Sequence, residues 1–199
     1  QPMHLTLKTP PVFEPITLLD LKAHTIVSHD EDDDYLFSLI ESAREQVETD
    51  TGRALVEQTW VLQGDCFPDE IIVPKPPLVS VTHIKYFDTD GAPQTLVENT
   101  DFQVITTNYN ARIKPMPGTS WPSVQANDYN AVELEFVCGY LTDDQSGGFA
   151  GYLPHRARSA MLIWAAHLYE NREHMLIGVN SSELPSYRSM ISGLEIISL

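Results

Sequence analysis

Apolar runs of membrane-spanning length are missing from this chain, and so is a basic-then-apolar leader. Neither a transmembrane span nor a secretory signal is therefore expected, and cytoplasmic synthesis is. Cysteine is scarce. Cys66 and Cys138 are too far apart for a disulfide framework and match no CxxC pattern, so they read as two buried, reduced thiols. Positive charge is scarce too: 12 Lys and Arg stand against 28 Asp and Glu, a formal net charge of -16. That balance excludes a domain that grips a nucleic-acid backbone, which requires clustered cations.

Catalytic signatures are equally thin. There is no G-x-S-x-G elbow and no H-E-x-x-H, and Gly147, Gly148 and Gly151 lack the Lys-Ser/Thr of a phosphate loop. Asp30, Asp32, Asp34 and Glu41 have the spacing of calcium-loop ligands, but Tyr35 stands where the sharp turn needs Gly. His167 and His174 can share a helix face with Glu170, yet a zinc site needs a further ligand that the local pattern does not supply. Two alternatives to a structural role follow: a small metal-dependent hydrolase using the His167 and His174 region, and a ligand-binding β module with a cleft around Trp60, Trp121 or Tyr129. Glu133 and Glu135 share one face of an alternating strand, which is the solvated side in the plain reading.

What is present is the material of a folded core. The chain has 199 residues, 42% hydrophobic and 20% charged, enough for one core or a core with a substantial insertion. Pro2, Pro10, Pro11 and Pro15 favour an extended arm at the start. Thr17 with Asp20 three residues on forms a capping box for a short helix through His24. The acidic run Asp30 to Asp34 opens a long helix carrying Leu36, Leu39, Ile40, Ala43 and Val47, with Gly52 just beyond its last turn. The rhythm then becomes β-like over 57–63, 71–73, 79–87, 94–97, 102–106, 111–114 and 131–138, with Asp90-Gly91 marking a hairpin. After the glycine-bearing loop 143–151, Leu153, Ala157, Ala160, Met161, Trp164, Ala165 and Leu168 recur at helical spacing.

The expected fold class is thus α+β: a helical bundle core, with helices at about 17–24, 31–52 and 153–173, interrupted by a small antiparallel β-rich insertion. The expected domains are a discontinuous helical one (1–55 with 152–175), the insertion (56–151) and a C-terminal tail (176–199). The tail ends in Met190, Ile191, Leu194, Ile196, Ile197 and Leu199. Such a segment is either an exposed interaction patch or a last element tucked onto its own core.

The ordered segments resemble the head-tail connector proteins of tailed bacteriophages, also called adaptor or head-completion proteins. The pieces that carry the likeness are EPITLLDLKAH at 14–24, AREQVETDTGRAL at 43–55 with QTW at 58–60, and PKPPLVSVTHIKYFDTDG at 74–91. PMPGTSWP at 115–122, NAVELEFVCGY at 130–140 and LPHRARSAMLIWAAHLYENRE at 153–173 complete the set.

The resemblance implies a structural protein of the virion neck, without catalysis, cofactor or metal. It implies a ring, commonly twelvefold, beneath the portal protein and joined to the tail or a stopper protein. Genomic DNA would pass through without specific binding, no membrane would be involved, and the protein would be made in the host bacterial cytoplasm. On that reading, Met190, Ile191, Leu194, Ile196, Ile197 and Leu199 are expected to dock on the portal or an adjacent subunit. The surfaces around Arg44, Arg156, Arg158 and Arg172 are expected to face acidic patches of a neighbour.

Overall fold

The computed structural model describes residues 3–106, 110–125, 130–140, 153–171 and 184–196. The chain divides into two compact units: Gln1–Val12 with Val56–Gly151, and Phe13–Leu55 with Tyr152–Leu199.

The second unit is helical. Helix α1, Leu18–Thr25, starts at Thr17, whose hydroxyl accepts the Asp20 N–H (3.1 Å) while the Asp20 carboxylate accepts the Thr17 N–H (2.9 Å). Two otherwise orphaned donors are satisfied reciprocally, as the Thr-to-Asp spacing foretold. Helix α2, Asp33–Thr51, buries Leu36, Leu39, Ile40, Ala43 and Val47 and stops where Gly52 turns left-handed (φ 71°). Helix α3, His155–Glu170, buries Ala157, Ala160, Met161 and Ala165 and packs on α1, α2 and the short helix α4, Pro185–Ile191. Each fully buried Leu, Ile or Met here contributes about 1.5–3 kcal/mol. No helix among the described residues is long and apolar enough to cross a membrane.

The described elements of the first unit are all β strands. Strands β1 (His4–Thr9), β2 (Gln58–Gly64), β4 (Leu78–Phe87), β5 (Pro93–Leu96) and β8 (Val132–Cys138) form an antiparallel sheet in the order β1-β2-β8-β4-β5. A second antiparallel sheet has the order β3-β7-β6, from Ile71–Val73, Ala111–Pro115 and Phe102–Ile105. The alternation along β8 buries Val132, Leu134, Phe136 and Cys138, and the smaller sheet buries Ile71, Val73, Phe102, Ala111 and Ile113. Directly after β8, Gly139 runs at φ 123°, and a Cβ there would sit 2.0 Å from the Val56 carbonyl oxygen. Only glycine fits that close approach.

A helical bundle core with a small β insertion is therefore not the architecture. The protein is α+β, with four helices and two antiparallel sheets of eight strands among the described residues, in about equal helix and strand content. The prolines around the first segment end strands instead of preventing them: residues 4–9 pair with β2 as an edge strand, where missing donors are tolerated. The β segments form a compact unit with buried residues of its own. Of the two cysteines, Cys138 is buried and Cys66 is exposed, the latter in the loop after β2 and not in a core.

Candidate functional site

Arg44 lies on the buried side of α2. Its Nε donates to both oxygens of Glu14 (3.0 Å each) and its Nη1 to Glu48 Oε2 (3.1 Å), while the other Glu48 oxygen accepts the Leu55 N–H (2.8 Å). Burial pushes the Glu14 carboxyl above the usual range even though Arg44 pulls it down. On Arg44 burial opposes the charge, but Glu48 and Glu14 more than offset it. The guanidinium is thus spent on fixing residues 14, 48 and 55 to one another.

A second network holds the C-terminal segment. The Tyr187 hydroxyl donates to Asp50 (2.6 Å), Arg53 Nε donates to the Leu194 carbonyl (2.6 Å), and the Ile196 N–H reaches the Thr51 carbonyl (3.1 Å). The Trp164 and Tyr187 rings meet with centroids 4.9 Å apart. Tyr187, Ile191 and Leu194 are buried, Met190 and Ile196 are half-buried, and Ile196 lies over Gly52. Burial and the Asp50 carboxylate push the Tyr187 phenol far above its ordinary value, so it stays a donor.

The start of α3 is unusual electrostatically. Its first turn holds no acidic residue and no side-chain cap, yet carries His155, Arg156 and Arg158, opposite in sign to what a helix N-terminus favours. Arg156 and Arg158 are exposed, and Arg158 donates to Asp20 at 3.3 Å. Arg172, Ile197 and Leu199 lie outside the described residues.

In the β unit, Glu133 accepts from Gln63 (3.0 Å) and lies 3.1 Å from His83 Nε2; Glu135 accepts from Lys8 (2.6 Å). These carboxylates sit among cations and an amide on a sheet face, and His83, with Gln63, holds Glu133 below the usual range. On the smaller sheet Glu70 takes Lys114 (2.9 Å) and Arg112 (3.3 Å), and the Lys114 bond lowers it. Trp121 stacks on Phe67 (centroids 4.8 Å) and donates to the Asp69 carbonyl, so it belongs to a local aromatic cluster, while Tyr129 lies outside the described residues.

The two alternatives to a structural role turn on His167, His174 and the aromatic residues. His167 bonds Asn171 through Nδ1 (3.1 Å), and His174 lies outside the described residues. Among the described residues no three His, Cys, Asp or Glu side chains converge to hold a metal ion. Asp30 is bound to Lys22 and Asp32 to the Tyr169 hydroxyl, which dissolves the calcium-loop spacing. Reading the sequence missed Glu14 and Glu48 as partners of Arg44, and Tyr187 and Arg53 as anchors of the C-terminal segment. The Arg44–Glu48 pair was readable from its i,i+4 spacing, but no local signal announces the others, 30 to 141 residues apart.

No curated protein matches the sequence. Three solved structures share the fold, each aligned over 99% of this chain and 97% of the other. They are a chain from the neck of an empty gene transfer agent particle computed with C6 symmetry (TM-score 0.78, 19% identity), one from the virion of a native gene transfer agent particle (0.74, 18%), and one from the neck of the native particle computed with C12 symmetry (0.69, 20%). Residues 15–113, spanning α1 to β7, match the phage gp6-like head-tail connector proteins. Connectors of this kind are structural proteins and not enzymes. By this match over residues 15–113, just under half of the chain, and by its fold, the chain is similar to the phage gp6-like head-tail connectors.

Proposed function

We propose that copies of this chain form a ring, twelvefold in the particle, in the neck beneath the portal, joining the DNA-filled head to the tail and letting DNA pass. The observation that carries this reading is the fold shared over 99% of the chain with a component of a particle neck, together with the connector family match. The twelvefold count is supported by a neck of the same fold computed with C12 symmetry. The net charge of -16 supports passage without retention, since a channel wall of that sign repels phosphates.

For the contacts, the exposed pair Arg156 and Arg158 is proposed to meet carboxylates of a neighbouring polypeptide. Such a partner would supply the negative charge that the α3 N-terminus lacks within its own first turn. In the C-terminal segment the proposal rests on half-buried Met190 and Ile196 and on the residues beyond 196, because Ile191 and Leu194 are packed inside. Arg44 serves the same proposal only indirectly, by holding the helical unit together.

The deciding measurement is mass in solution, by sedimentation or native mass spectrometry, with and without purified portal protein. A ring, or a ring that forms only with portal, is expected. A monomer that ignores portal would overturn the reading. Arg156→Glu with Arg158→Glu is the contact variant of choice, since deleting 186–199 would also strip Tyr187, Ile191 and Leu194 from the helical core.

A further inference from the structure

Two exposed apolar patches on this chain are matched in spacing and opposite in charge. The first is on α1. Leu19 (76% exposed) on the helix and Ile26 (91% exposed) at its C-cap stand seven residues apart with exposed Ala23 between them, so the two backbone positions are about 10 Å apart along the axis. The flank of this ridge is acidic. Residues 20–34 contain Asp20, Asp30, Glu31, Asp32, Asp33 and Asp34 against Lys22 alone, and Asp30, with its side chain 89% exposed, bonds Lys22 on the ridge's flank.

Ile26 is costly in two ways. It ends α1 in the left-handed conformation (φ 58°), where a β-branched residue is strained and glycine would sit freely, and it gives its side chain to water. Strain of this kind in a residue left 91% exposed among the described residues points to a function outside its own chain.

The second patch is the outer face of the three-stranded sheet. Ile72 on β3 and Ile105 on β6 both pair in register with Arg112 on β7, which places the three side chains in one row across the sheet. Two strand spacings separate the isoleucines by about 9.5 Å. Ile72 is 50% exposed, Ile105 41%, and the Arg112 side chain 53%; Lys114 follows two residues along on the same face.

We propose that the α1 ridge of one copy docks on this row in the next copy, as the contact that propagates the ring. Leu19 and Ile26 straddle the row at the isoleucines' own spacing, and Ala23 leaves room for the Arg112 stem between them. Arg112 and Lys114, which hold Glu70 between them within the chain (3.3 and 2.9 Å), turn their remaining N–H groups to Glu31 and Asp34 on the flank. The two patches differ, so the contact is head-to-tail, the kind that closes into rings and not two-fold dimers. A second copy is the favoured occupant because it brings both the spacing and the cations. The inference rests on the ring reading above.

The test follows assembly with portal protein at roughly 0.15 M salt, the range in which short contacts survive screening. Ile26→Gly and Leu19→Ser are each expected to raise the concentration needed for assembly at least tenfold. Ile26→Gly should not lower the thermal midpoint of the monomer, because it relieves the left-handed strain. Arg112→Glu, and separately Glu31→Lys with Asp34→Lys, should impair assembly, and the three substitutions in one chain should restore it. Assembly at wild-type concentrations by Ile26→Gly and Leu19→Ser, or absence of rescue in the swapped chain, overturns the contact while leaving the ring intact. Failure of the unmodified chain to assemble overturns both.

Discussion

At the scale of the residue, Arg44 decides more than any other side chain. It and Glu14 are both almost fully buried, and Glu48 completes the set. Removing one member of a buried ion pair strands the others without water, which costs about 3–5 kcal/mol. Arg44→Ala should therefore lower the unfolding free energy read from urea titration by an amount in that range, and a loss below about 1 kcal/mol would mean the site is wetter than its geometry. The carboxyls predict a pH profile with two limbs. Asp20 is held below its ordinary 3.8, first by the Thr17 backbone N–H, so its contribution is complete above that value and is lost as pH falls toward its folded pKa. Glu14 is raised above 4.5 by burial, so the folded state holds its proton longer and stability falls as pH rises through the window above 4.5. Thermal midpoints measured against pH should lose part of the acid limb in Asp20→Asn and part of the upper limb in Glu14→Gln; identical profiles for both variants would refute the assignment.

At the scale of the element, α4 is held by side chains more than by its own length. A helix of seven residues is not stable alone, so its position depends on Tyr187, Ile191 and Leu194 being buried and on the bonds to Asp50, Thr51 and Arg53. Tyr187→Phe removes one hydrogen bond to a solvated carboxylate and should cost about 1 kcal/mol. Tyr187→Ala also leaves a cavity beside Trp164 and should cost about 3–5 kcal/mol, with hydrogen exchange speeding up in α4 before α2. Equal effects of the two would show that the ring packs on little. The elements themselves were mostly legible: the Thr17 capping box, the Gly52 stop, the α2 and α3 stripes, the Asp90-Gly91 hairpin and the β8 alternation all state their structure within a few residues. Strand β1 was not, because His4–Thr9 has only its edge pairing to make it a strand, and its exposed face leaves no alternation to read. That one strand, and the pairing of short segments into two sheets, give the β segments a strand content about equal to the helix content, so the helices are not the core that the β segments merely interrupt. Glu48 lies one turn from Arg44 and was readable, but Glu14, and the partners of Tyr187 and Arg53, arrive from distant segments and were not.

At the scale of the whole molecule, charge sets how copies meet. Each chain carries -16, so two copies repel before their surfaces touch, whatever local complementarity Arg112 and Lys114 offer to Glu31 and Asp34. The two effects have different reach. The Debye length falls from about 30 Å at 0.01 M salt to about 8 Å at 0.15 M, so added salt first removes the long-range repulsion and only later weakens pairs in direct contact. Self-association of the chain should therefore strengthen between roughly 0.02 M and 0.15 M salt and weaken again toward about 1 M. A contact held mainly by opposite charges, with little apolar surface, would weaken from the first addition of salt. Sedimentation equilibrium across that series separates the two, and a monotonic fall would mean that attraction at the contact outweighs the net charge at every distance, leaving the apolar pairing of Leu19 and Ile26 with Ile72 and Ile105 no part in holding the copies together.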